Sequence, residues 1–130
     1  MLKRILATTA LLAIGALPLS AQQHAAAAPA AAPAPDVTVT GQVIDMNCYT
    51  TMGASGAGHK SCALACAKAG VGLAILGSDG NIYIPVSAKP GDPQNSRLEP
   101  FAEGRVKVTG TRRVAGGVNT IEIKTIAAAA

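Results

Sequence analysis

Arg105 to Ile126 reads RVKVTGTRRVAGGVNTIEIKTI. Val106 and Val108 alternate with Arg105, Lys107 and Thr109, and beyond Ala115-Gly116-Gly117 the pattern resumes as Ile121 and Ile123 alternating with Thr120, Glu122 and Lys124. A period of two marks a half-buried strand, and paired glycines suit a reversal between two such strands. The segment therefore predicts a β-hairpin, with a bulge at Gly110 or at Arg112-Arg113. Upstream, Val71, Leu73 and Ile75 are followed by Gly77-Ser78-Asp79-Gly80 and then by Ile82, Ile84 and Val86, a second hairpin that turns Tyr83 outward. Val37, Val39 and Val43 alternate with Thr38, Thr40 and Gln42, and Gly41 falls on the apolar face where a curved strand needs to bend.

Two non-strand elements complete the reading. His59 to Ala69 has helical character and stops at Gly70, while Asn95 to Ala102 holds one short turn limited by Pro100. Five strands with a capping element before the fourth predict a mainly β chain: a small five-stranded OB-like barrel with one short helix inserted after the first strand. An immunoglobulin-like sandwich needs about seven strands and is the weaker choice.

The ends of the chain carry different information. Lys3 and Arg4 precede an apolar stretch from Ile5 to Leu19, and Ala21 comes before Gln22-Gln23, so residues 1–21 are expected to be a secretory signal peptide. The rival reading, an uncleaved anchor, suffers from an apolar stretch short for about 30 Å of hydrocarbon. Residues 22–35, QQHAAAAPAAAPAP, form an Ala/Pro-rich spacer expected to be disordered, with His24 solvated inside it. The domain is then residues 36–126, followed by a frayed tail at 127–130.

This partition changes the meaning of the composition. The formal charge of +4 falls to +2 once Lys3 and Arg4 are removed, because 9 basic residues then face 7 acidic ones. The aromatic set is Tyr49, Tyr83 and Phe101. Single-strand nucleic-acid binding on an OB barrel depends on aromatic platforms and a basic groove, so nucleic acid is not an expected partner. Arg112 and Arg113 read as a charged strand edge that resists edge-to-edge pairing.

The chemistry concentrates in Asp45 to Gly70, DMNCYTTMGASGAGHKSCALACAKAG, which holds Cys48, Cys62, Cys66 and the one histidine of the domain. At about 100° per residue, His59, Cys62 and Cys66 share one helical face. The glycines between Gly53 and Gly58 let Cys48, at the end of the first strand, double back toward it. A Cys3His set suits tetrahedral Zn²⁺ or, with its sulfur content, Cu⁺, and Asp45 is a further ligand or a partner for the second ring nitrogen of His59. Met46 and Met52 add soft sulfur on the copper reading.

Two other readings stay open. An oxidising compartment favours a disulfide from Cys48 to Cys62 or Cys66, leaving one thiol over. Cys62 and Cys66 are themselves a poor pair, since helical i and i+4 Cβ atoms lie about 5–6 Å apart and a disulfide wants about 3.5–4.5 Å. Thiol-redox chemistry is the third, with His59 near enough to activate Cys62, although neither C-x-x-C nor C-x-x-C-H is present.

Asp45, Cys48-Tyr49, Gly53, Gly56, His59, Cys62-Ala63, Cys66 and Gly70 together form a motif. With RVKVTGT and NTIEIKTI toward the C-terminus, it resembles small secreted bacterial OB-fold-like proteins with no settled activity. The resemblance implies a secreted OB-like barrel with a Cys/His-bearing insertion after its first strand. Gly72 departs from it, standing where such sequences carry Pro. The resulting expectation is an exported, periplasmic or secreted, non-enzymatic barrel that binds Zn or Cu through Cys48, His59, Cys62, Cys66 and Asp45. A disulfide-stapled interaction module is the first alternative and a periplasmic thiol-redox protein the second. Its partner would be the metal ion or a periplasmic protein, and its contact with the membrane would be through the export signal alone.

Overall fold

Residues 34–130 are described by a computed structural model. The stretch expected to be an export signal, His24 and nearly all of the expected spacer lie outside the described residues. Five strands make up the largest share of the regular structure: β1 (Asp36–Asp45), β2 (Leu73–Gly77), β3 (Ile82–Val86), β4 (Arg105–Ala115) and β5 (Val118–Ala128). They close into a ring in the order β1-β2-β3-β5-β4, with β4 returning to β1. Every pairing is antiparallel except β3 with β5.

The ring closes because β1 serves two partners. Asp36 to Gln42 pair with β4 and Gly41 to Asp45 pair with β2, so the strand turns from one neighbour to the other at Gly41-Gln42. Gly41 is required there, since a Cβ would run into the backbone carbonyl of Leu76. Val39 and Val43 point into the core as the alternation predicts. The expected bulge is a register shift between Thr109 and Gly110, one of the two positions the sequence offered.

Two expectations are corrected. Tyr83, expected outside, is only 4% exposed and belongs to the core. The cause is register: Tyr83 lies opposite the fully buried Ile75, and residues opposite one another share a face. The turn sets that register through Gly77 N–H donating to the Asn81 carbonyl at 2.8 Å. Nor is the C-terminus frayed as expected. Ala127 and Ala128 pair with Lys107 and Val106, and Ala129 N–H donates to the Arg105 carbonyl, because backbone bonding on the edge of β4 needs no side chain.

The buried phenol keeps its polar end satisfied. Tyr83 Oη donates to Asp79 Oδ2 at 2.6 Å, and Asn81 donates to both Asp79 oxygens. The tyrosine hydroxyl, followed by Asn81, holds the Asp79 carboxyl down to about 2. A depressed carboxylate contributes stability above the ordinary value of 3.8 and loses it as pH falls toward about 2. In denaturant titrations, the stability difference between the parent and Tyr83→Phe should therefore shrink steadily from pH 5 to pH 2. A difference independent of pH would show that the bond is not coupled to Asp79 ionisation.

Between β1 and β2 lies a helical insertion: α1 (Met46–Met52), a 3-10 turn (Ala57–His59) and α2 (Lys60–Lys68). α2 matches the expected helix apart from its two end residues, since His59 belongs to the 3-10 turn and Ala69 is the C-cap, and α1 adds an element the sequence reading placed at the end of the strand. Both helices pack against β1. There the burial pattern loses its alternation, with Val43, Ile44 and Asp45 all fully buried. A third helix, α3 (Asn95–Leu98), runs into a 3-10 turn (Glu99–Phe101) where a short turn was expected, and seats Leu98 in the core. Among the described residues, no helix is long and apolar enough to cross a membrane.

Candidate metal centre

Asp45 ends β1 and starts α1. Its Oδ1 accepts the backbone N–H of Cys48 at 3.0 Å, the bond expected of an N-capping aspartate, and Gly53 closes the helix in the left-handed conformation at φ 67°. A helix this short has little stability of its own. The cap at one end and the glycine at the other define it, and they put Cys48 in its first turn, buried against the domain. α2 buries Ala63 and Ala67, which are four residues apart, and thereby carries Cys62 and Cys66 on the adjoining stripe.

The two helices bring the three sulfur atoms together. Sγ of Cys48, Cys62 and Cys66 all lie within 4.8 Å of one another. They grade from the buried Cys48 through the half-buried Cys66 to the exposed Cys62, so the cluster opens to solvent at one side. Three sulfurs at about 2.3 Å from one tetrahedral ion stand about 3.8 Å apart, so a small side-chain adjustment converts the cluster into a coordination site. All three are free thiols.

Asp45 dominates the electrostatics. Its Oδ2 is buried with no hydrogen-bond partner, and the weak S–H donor of Cys66 lies against the same carboxyl group. Burial pushes the Asp45 carboxyl upward, but the Cys66 thiol and the N–H groups of Cys48 and Asn47 outweigh it and hold the carboxyl below its usual range. The same contact, together with burial, pushes the Cys66 thiol up to about 12. Cys48 is raised as well, by burial first and then by the Asp45 charge. A thiol with a raised pKa is a poor nucleophile at neutral pH. A bound cation reverses this, because its charge deprotonates a coordinating thiol outright.

The remaining two candidate residues lie differently. His59 stands outside the three-sulfur group, and its Nδ1 is 2.9 Å from Oε1 of Glu103. Asp45 contacts Cys48 and Cys66 but does not orient His59 through a hydrogen bond. Glu103 had no signal in the sequence: it is 44 residues from His59 and outside any periodic pattern. Gln42, which donates to Glu103 Oε2 at 3.0 Å, read only as an outward residue of the first strand.

No family model, curated protein or solved structure matches the chain.

Proposed function

We propose that this chain is an exported, non-enzymatic small barrel of the OB type that binds a transition-metal ion, Zn²⁺ or Cu⁺, through Cys48, Cys62 and Cys66. The observation that carries the reading is the convergence of three sulfurs from two helices to within 4.8 Å. Thiolates select Cu⁺ and Zn²⁺ among biological metals. Three of them satisfy Cu⁺, whereas Zn²⁺ takes a fourth donor, from Asp45 beside Cys66 or from His59. The raised thiols make Cys48 and Cys66 poor nucleophiles, so the redox alternative would rest on the exposed Cys62 alone. The OB assignment is supported by the strand order β1-β2-β3-β5-β4 and by α3 lying before the fourth strand. Export is supported by the sequence of residues 1–21.

The test is metal analysis combined with thiol counting on protein exported to its own compartment and purified without chelator. The expected result is close to one equivalent of Zn or Cu, with three titratable thiols after chelation. One titratable thiol, no metal and a Cys48 peptide cross-linked to α2 would overturn the reading in favour of a disulfide module.

A further inference from the structure

Glu103 lies in the loop before β4, yet its side chain is fully buried beside the insertion. Its backbone φ is 60°, a left-handed conformation that L-residues other than Asn and Asp rarely adopt. The backbone around it is stitched to β1, with Glu103 N–H donating to the Val43 carbonyl at 2.9 Å and Val43 N–H to the Gly104 carbonyl at 3.0 Å. Both carboxyl oxygens are used. Oε2 accepts from Gly56 N–H at 2.7 Å and from Gln42 Nε2 at 3.0 Å, while Oε1 meets His59 Nδ1 at 2.9 Å.

These partners belong to two different parts of the fold. Gln42 is a residue of the ring, whereas Gly56 and His59 lie in the segment that leaves α1 and enters α2. That glycine-containing segment decides where Cys62 and Cys66 sit relative to Cys48, and nothing in its own sequence stiffens it. The carboxylate is therefore a buried crosspiece between the ring and the thiol-bearing insertion. It also orients the His59 ring, with Nδ1 turned toward the carboxylate, as the outer partners of metal sites commonly do.

We infer that Glu103 is a positioning residue for the three-thiol site: by holding Gly56 and His59 against the ring, its carboxylate pre-organises Cys62 and Cys66 opposite Cys48. The inference takes its ligand from the metal reading, but the thiol geometry it asserts exists without metal and can be measured separately.

The experiment compares the full chain with Glu103→Ala, Glu103→Gln and Gln42→Ala. Zn²⁺ affinity is measured by competition with a chromophoric chelator, at a temperature where circular dichroism shows each protein folded. Metal-free thiol proximity is measured as the rate at which diamide cross-links Cys48 to α2. In that reaction two thiols give up two protons and two electrons to the azo reagent, forming one disulfide and the hydrazine. Glu103→Ala should bind Zn²⁺ about 10–100-fold more weakly and cross-link more slowly. Glu103→Gln, which keeps one acceptor oxygen, should fall between Glu103→Ala and the parent. Gln42→Ala removes the side-chain link to the ring but leaves the backbone tie between Glu103 and Val43 and the contacts to Gly56 and His59, so its losses should be smaller than those of Glu103→Ala.

Parent-like affinity and cross-linking in folded Glu103→Ala would overturn the inference. If Glu103→Ala fails to fold, the same two readouts on Glu103→Gln decide it: weaker binding and slower cross-linking support it, and parent-like values overturn it. If the parent binds no Zn²⁺, the metal reading fails on Zn²⁺ while the cross-linking contrast still decides the role of Glu103.

Discussion

Cys48→Ser should lower metal affinity by about 100-fold or more while the strand ring stays folded. Structural zinc sites with four donors bind with apparent free energies of about 10–16 kcal/mol, or about 3 kcal/mol per ligand, and about 1.4 kcal/mol corresponds to each factor of ten. Serine keeps the shape of the side chain but offers a hydroxyl that neither metal prefers. Because Cys48 is only 5% exposed, the added hydroxyl also carries a folding cost of about 1–3 kcal/mol. Cys62→Ser is the informative companion, since Cys62 is exposed and its replacement should change stability by no more than about 0.5 kcal/mol. Chelator competition on the two variants, with melting curves alongside, should show similar losses of affinity and unequal losses of stability. Affinity unchanged in both would remove the thiols from the site.

The second large effect concerns the ring itself. Ile75→Ala should destabilise the domain by about 2–5 kcal/mol, a large share of the roughly 5–15 kcal/mol that holds an ordinary domain together. Ile75 is fully buried, sits between Val43 on β1 and Tyr83 on β3, and belongs to the central cluster. Its removal leaves a cavity that the closed ring cannot collapse without breaking pairing on one side. At about 4–8 °C per kcal/mol for a domain of this size, thermal melting should move down by at least about 8 °C. Ile75→Val, which removes one methyl group, should cost only about 0.5–1.5 kcal/mol. Equal midpoints for the alanine variant and the parent would mean that Ile75 is not in the core.

Much of the fold is legible along the chain. Strict alternation in Val37 to Val43, Arg105 to Thr109 and Thr120 to Lys124 marks strands, since a strand presents one face to the core and one to water. The misreading of Tyr83 has the opposite origin. The Ile82-Tyr83-Ile84 run is apolar on both faces, so alternation gives no phase, and the phase came from the hairpin turn. α1 escaped notice because seven residues with one cap and one glycine carry little periodic signal.

The candidate site divides along the same line. By itself, the sequence determined which residues are chemically able to act: three cysteines and a histidine in one short segment, with Cys62 and Cys66 on one helical stripe, because residues three and four apart on a helix are neighbours. Tertiary structure decided which of them meet. Cys48 reaches Cys62 and Cys66 only because α1 and α2 pack on the same end of β1, and the His59 ring is engaged by a glutamate from the other side of the chain. Local rules reach about one helical turn; the contact between Glu103 and His59 spans 44 residues and is set by tertiary packing.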